Sequence, residues 1–150
     1  VMRTRSWSVF LTSAPRDTGE VRLIEEPGCQ QMVGYRTEVD TRDGSCTVTL
    51  ELEPRHMNRH GIVHGGMVAT VLDVVCGNTA MQFFDPDGNA DLVTVSLNLS
   101  YVGSTRTGAI TARARPTGGG KSIAYVYGEL FDDTGRLLAT ANGIFKRIRK

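Results

Sequence analysis

The sequence predicts a single α+β domain, an antiparallel sheet with one long buried helix. Three features carry that expectation: apolar residues recur at every second position over most of the chain, one long segment breaks the alternation, and the links between alternating runs are short and rich in turn residues. The 150 residues, 40% hydrophobic and 22% charged with 17 Gly and 5 Pro, fit one globular domain and exclude disorder, collagen and repeat arrays. A chain of this length buries roughly 70% of the surface its unfolded form exposes, so it needs neither disulfides nor a structural metal to fold.

Residues 1–29 are expected to form a lead-in, partly helical or frayed, and residues 30–150 the domain itself. The lead-in begins with basic residues, but its apolar stretch Val9-Phe10-Leu11 is far too short for a secretory h-region. Alternation takes over from about Gln31, with a first strand expected over 32–40. In 45–53, Cys46, Val48, Leu50 and Leu52 alternate with Thr47, Thr49, Glu51 and Glu53, the mark of a strand with one buried face. From 64 to 84 there is no Pro, and apolar residues such as Met67, Val71, Leu72, Val75 and Ala80 fall on nearly every face. A helix apolar all round is a buried one. Phe84-Asp85-Pro86-Asp87-Gly88 ends it.

Next, Val93, Val95, Leu97, Leu99 and Tyr101 alternate with Thr94, Ser96, Asn98 and Ser100, again predicting a strand with one buried face. Further strands are expected over 109–115, 122–131 and 137–148, with turns at Asp43-Gly44, Gly118-Gly119-Gly120 and Asp133-Thr134-Gly135. The expected order is two strands, one helix and four strands, with antiparallel neighbours and no internal repeat.

Charge narrows the partners. Seventeen Lys and Arg against 16 Asp and Glu leave a net of +1, no footprint for duplex nucleic acid, although a local basic patch suits a phosphorylated small molecule. Cys29, Cys46 and Cys76 are odd in number and form no Cys-x-x-Cys pair, which points to a reducing cytoplasm. No run is expected to reach the length of a membrane span.

Inside the apolar helix stands one carboxylate, Asp73, between Val71-Leu72 and Val74-Val75. Burying an ionised carboxylate without partners is costly, so from position alone Asp73 either lies on an exposed strip of the helix or is a working group. Upstream runs His56-Met57-Asn58-Arg59-His60-Gly61-Ile62-Val63-His64-Gly65-Gly66, a polar, Gly-rich loop that enters the helix without a Ser, Thr or Asp cap. Glycines there leave backbone N–H groups bare at the positive end of the helix dipole, which suits an oxyanion; close packing or a tight turn is the alternative. His60 and His64 stand at i and i+4, but Gly61 argues against a helix between them and no third ligand is at hand, so no metal site is expected.

Asn58, Gly61, His64-Gly65-Gly66 and Asp73, followed by the helix and by Val93-Thr94-Val95, resemble the hotdog-fold acyl-CoA thioesterases of the phenylacetate-pathway type, a branch of the 4-hydroxybenzoyl-CoA thioesterase superfamily. The likeness covers roughly residues 30–148 in element order. It implies a curved antiparallel sheet wrapped around one long central helix, hydrolysis of CoA thioesters with no metal or other cofactor, and a homodimer or a tetramer built as a dimer of dimers. It gives Asp73 the part of the catalytic carboxylate, as general base or nucleophile, and Gly65 that of the N–H polarising the thioester carbonyl. Asn58 and His64 take the part of the polar pair that orients substrate and leaving sulfur, and Thr94 that of a hydroxyl holding the attacking water. Another thioesterase branch has Glu at the carboxylate and a hydroxyl residue one turn later; Asp73 and Gly77 stand here, which favours the phenylacetate-type branch and leaves more to Thr94.

Gly65 and Asp73 lie eight positions apart, roughly 12 Å along one helix. A thioester carbon must sit within about 3 Å of both its nucleophile and its oxyanion donors, so the carboxylate is expected from a second, antiparallel copy. CoA is polyanionic, and Gly118-Gly119-Gly120-Lys121-Ser122 joins exposed N–H groups to a cation. Gly120, Lys121 and Ser122, with Gly66 at the helix start, are therefore candidate substrate-binding residues; the plain alternative for the turn is a flexible hairpin with a solvated lysine. Arg59, Arg106, Lys146, Arg147, Arg149 and Lys150 are further cations, the last four a tail of the kind usually solvated. Met67, Met81, Phe83 and Phe84 are candidates for setting the size of the acyl pocket. Two other functions compete: a hotdog module that binds acyl-CoA without turnover, and a hydratase, which wants a catalytic histidine opposite a carboxylate in a second motif that the sequence lacks.

Overall fold

Over residues 20–148, which the computed structural model describes, seven strands form one antiparallel sheet around a long helix. In chain order the elements are β1 (Val21–Ile24), α1 (Cys29–Val33), β2 (Arg36–Asp40), β3 (Cys46–Glu51), α2 (Gly65–Phe84), β4 (Leu92–Tyr101), β5 (Ala109–Gly119), β6 (Ile123–Asp132) and β7 (Leu137–Arg147). The sheet order is β1-β2-β3-β5-β6-β7-β4, so β3 pairs with β5 across the excursion through α2 and β4.

The first forty residues depart from expectation. The strand expected over 32–40 divides: Met32 and Val33 close α1, Gly34 turns the chain at φ 91, and β2 begins at Arg36. β1 lies within the expected lead-in and pairs with β2, Val21 opposite Asp40, so three strands rather than two precede α2. The lead-in helix expected nearer the start lies outside the described residues. Gly118 and Gly119, expected in a turn, instead end β5 opposite Tyr125 and Ala124, beyond a register shift that accommodates Pro116.

The core is the inner face of the sheet pressed on α2. Val48 and Leu50 of β3, Ile110 and Ala112 of β5, Val126 and Leu130 of β6 and Phe145 of β7 are buried with Val68, Val71, Leu72, Val75 and Cys76 of α2. A Cβ on Gly128 of β6 would come 2.7 Å from the Cys76 Sγ, so α2 sits directly on the β6 backbone. Contrary to expectation, α2 is long and apolar enough to cross a membrane, with 20 residues and mean hydropathy 1.3, but its buried side is held by the sheet. Nor is it apolar all round: Gly66 is exposed, and Thr70 and Asp73 are half-buried. Burial pushes the Cys76 thiol up to about 12 and raises that of Cys46, which leaves both inert; Cys29 is exposed, and all three are free.

β4 does not form the single buried face that its alternation predicts. It is an edge strand paired with β7, and Val93, Val95 and Tyr101 are 46%, 57% and 55% exposed. A bulge breaks the phase: Thr94 opposes the buried Phe145, whereas Ser96 opposes Ile144 on the other face. Thr94 therefore shares the α2 side of the sheet with Leu97 instead of the outer side with Ser96 and Asn98.

Candidate active site

The loop into α2 is assembled by local hydrogen bonds. A 3₁₀ turn, Pro54–His56, places the His56 ring in the core, where Nδ1 accepts from the Glu53 N–H (2.9 Å). The ring proton then lies on Nε2, which donates to the Val33 carbonyl (2.8 Å) and ties the loop to α1. Met57 and Val63 form a bridge, the Asn58 N–H donates to the Ile62 carbonyl (2.8 Å), and Gly61 makes the reversal at φ 69. Asn58 Oδ1 accepts from the backbone N–H groups of His60 (2.9 Å) and Ile62 (3.3 Å). That settles which end of the amide is oxygen and leaves Nδ2 with no acceptor among the described residues.

His64 is the helix cap that the sequence lacks in its usual form. At φ −66, ψ 136 its Nδ1 accepts from the Gly66 N–H (2.9 Å), which leaves Nε2 as a donor. Gly66, expected as an open donor for substrate, is thus already engaged. The Gly65 N–H has no acceptor among the described residues, while its carbonyl accepts from the Tyr101 hydroxyl (2.9 Å). Tyr101 was not singled out as a site residue by sequence; its apolar phase in β4 marks it only as a packing residue.

Two turns along α2, Asp73 is half-buried and its Oδ1 accepts from Thr94 Oγ1 (3.0 Å). Oδ2 has no partner among the described residues. One chain thus brings Thr94 to Asp73, and places Asn58, His64 and Gly65 within one loop and helix start. It does not bring the two groups together, since Gly65 and Asp73 are separated by roughly 12 Å of helix.

The β5–β6 turn is tighter than its glycines suggest. The Gly120 N–H, expected to be open, donates to the Ile123 carbonyl (2.8 Å). Lys121 and Ser122 are exposed, and Ser122 lines an open cleft of about 500 Å³ with Val93, Lys146, Arg147 and Ile148. Lys146 and Arg147, expected as part of a solvated tail, are therefore cleft walls whose charge suits an anion. Met67, Met81, Phe83 and Phe84 are half-buried, and the Phe83 ring stands 2.9 Å from where a Cβ on Gly119 would lie. Arg106 crosses to the loop tip, donating through Nη1 to the carbonyls of His60 (2.6 Å) and Gly61 (3.2 Å).

The arrangement has known counterparts. The sequence pattern of the thioesterase superfamily matches residues 60–139, which include the helix cap, Asp73 and Thr94. The chain belongs to the thioesterase superfamily. Its sheet wrapped on one helix is the hotdog fold of that superfamily, and the protein is a thioester hydrolase. This thioesterase is similar to human acyl-coenzyme A thioesterase 13, 28% identical over 133 residues, which are 86% of this chain and 93% of the relative. A phenylacetic acid degradation-related protein from Ralstonia eutropha matches with TM-score 0.71 and 29% identity, over 82% of this chain and 92% of that one. A Bacillus halodurans protein solved with CoA matches with TM-score 0.72 and 29% identity, over 81% and 78% of the two chains.

Proposed function

We propose that this thioesterase hydrolyses an acyl-CoA to the free acid and CoA, at a site shared by two copies of the chain. The observation that carries the reading is the Thr94–Asp73 hydrogen bond, which holds one oxygen of a half-buried carboxylate and leaves the other without a hydrogen-bond partner among the described residues. The relatives support the substrate class, one being an acyl-coenzyme A thioesterase and another a structure holding CoA.

In the proposed reaction, Asp73 takes a proton from water and the water oxygen bonds to the thioester carbon. Charge gathering on the carbonyl oxygen meets the Gly65 N–H, and Asn58 Nδ2 and His64 Nε2 donate to the substrate around its sulfur. The carbon–sulfur bond then breaks, and the proton held by Asp73 passes to the departing thiolate. No resident cofactor takes part.

The separation of the two groups along α2 makes the second copy part of the reading. Two antiparallel copies of α2 set Asp73 of one beside Gly65 of the other, giving two equivalent sites. The edge position of β4, with Val93 and Val95 exposed, supports a homodimer formed along that strand, and a tetramer would be a dimer of such dimers. Lys121 and Ser122 meet the phosphates of CoA, and the three free thiols suit a cytoplasmic setting.

Thiol release from an acyl-CoA tests both halves. Asp73→Asn is expected to keep CoA binding and lose about 10²-fold or more in kcat; near-wild-type turnover removes Asp73 from the mechanism. Asp73→Asn and Asn58→Ala, each nearly inactive alone, are expected to regain activity when refolded together, since one site of every heterodimer is intact. Absence of recovery, with subunit exchange verified, refutes the shared site.

A further inference from the structure

We infer that Arg106 is a positioning residue for the Asn58 side-chain amide, acting through the tip of the loop rather than on the phosphates of the substrate. The inference rests on the proposed role of Asn58.

The orientation of the Asn58 amide is set by the backbone in front of it. Oδ1 is held by the N–H groups of His60 and Ile62, so whatever fixes the backbone from His60 to Ile62 also fixes where Nδ2 points. The carbonyls on that same stretch face outward, and one atom, Arg106 Nη1, takes both of them: His60 O at 2.6 Å and Gly61 O at 3.2 Å. The fit is close, for a Cβ on Gly61 would come 3.2 Å from Nη1. The neighbouring Thr105 carbonyl accepts from the Val63 N–H (2.9 Å), so the segment after β4 grips the loop at its tip and at its far end.

That segment is itself anchored. Arg136 donates through Nη2 to the Ser104 carbonyl (2.6 Å) and pairs through Nε with Asp132 (3.1 Å), while the Gly108 carbonyl accepts from the Leu52 N–H (2.9 Å). A fixed frame thus runs from the β6–β7 turn to Ser104, on to Arg106, and through the loop tip to the amide of Asn58. The charge of Arg106 is met by two carbonyls, and it has no carboxylate partner among the described residues. A guanidinium so used at Nη1 strengthens both hydrogen bonds by its charge.

Kinetics of Arg106→Ala, Arg106→Lys and the double variant Arg106→Ala/Asn58→Ala test this, with an acyl-CoA and with the matching pantetheine thioester, which lacks the nucleotide phosphates. The expected result is a kcat about tenfold lower for Arg106→Ala with both substrates, KM little changed, and no further loss when Asn58 is already Ala. Arg106→Lys is expected to recover most of the loss, because a single nitrogen makes both contacts. Should Arg106→Ala fail to fold, Arg106→Gln serves in its place with the same expected loss.

Three results overturn the inference: a rise in KM confined to the full acyl-CoA, which makes Arg106 a phosphate contact; a loss that adds in full to that of Asn58→Ala; or a kcat within twofold of wild type. Asn58→Ala with normal activity sinks the proposed site as well. Asn58→Ala impaired beside a normal Arg106→Ala sinks only the role of Arg106.

Discussion

Replacing Thr94 by Val removes one hydroxyl, preserves side-chain shape, and isolates the Thr94–Asp73 hydrogen bond. The donor lies 3.0 Å from Asp73 Oδ1, on an exposed edge strand facing a half-buried carboxylate. A hydrogen bond to a charged group contributes about 1.5–3 kcal/mol, and exposure places this one at the lower end. If Asp73 must be held to take up its proton, about 1.4 kcal/mol lost from the transition state is roughly a tenfold fall in kcat. The effect should therefore be smaller than the ~10²-fold expected of Asp73→Asn. A surface hydroxyl replaced by a methyl changes folding stability by no more than about 0.5 kcal/mol, so the melting temperature should hardly move. The assay is steady-state release of CoA thiol, with Thr94→Ser as the variant that restores the rate. Wild-type kcat in Thr94→Val, or an equal further loss when Asp73 is already Asn, would refute the idea that Thr94 works through Asp73.

Two more outcomes are expected. Lys121→Ala should raise KM for an acyl-CoA with kcat almost unchanged, less so as salt rises, and should leave a pantetheine thioester unaffected, because an exposed cation acts on the phosphates in the ground state; kinetics at two ionic strengths check it. The Asp132 carboxylate, held by the Thr134 hydroxyl and then by the Arg136 and Thr134 N–H groups and the Arg136 side chain, is lowered to about 2. A carboxylate lowered on folding stabilises above its unfolded value and loses that contribution as pH falls from about 4 to 2. Asp132→Asn should therefore lower the melting temperature at pH 7 and flatten its dependence on pH in that acid window, and melting curves across the window check this.

How much was legible in the sequence follows from how local each signal is. β3, β6 and β7 each have one face on α2 and one on solvent, so their alternation survives in the residues, and the apolar length of α2 marks it equally well. The order Asn58, His64-Gly65-Gly66, Asp73 lies along one stretch of chain and was readable as a pattern. β1 has four residues and α1 five, too few to establish a period. The capping role of His64 was hidden because an imidazole is not the usual cap. Arg106 and Tyr101 reach partners 46 and 36 positions away, and such contacts leave no trace in local spacing. The dimer expectation came from the family resemblance and, separately, from helix length, since eight positions of α2 already hold Gly65 and Asp73 apart.

The bulge in β4 bears on how this protein can be re-engineered. A scheme that classes positions by alternation would group Thr94 with Ser96 and Asn98 as solvent-facing and open to charged replacement. The inserted residue, Val95, reverses that classification upstream of it, so a Glu placed at 94 would set a second negative charge against Asp73, and a Lys would pair with it. Position 93 is the truly outward one there, opposite Lys146. Position 94 is therefore reserved for a small hydroxyl donor, whatever the alternation of the strand suggests.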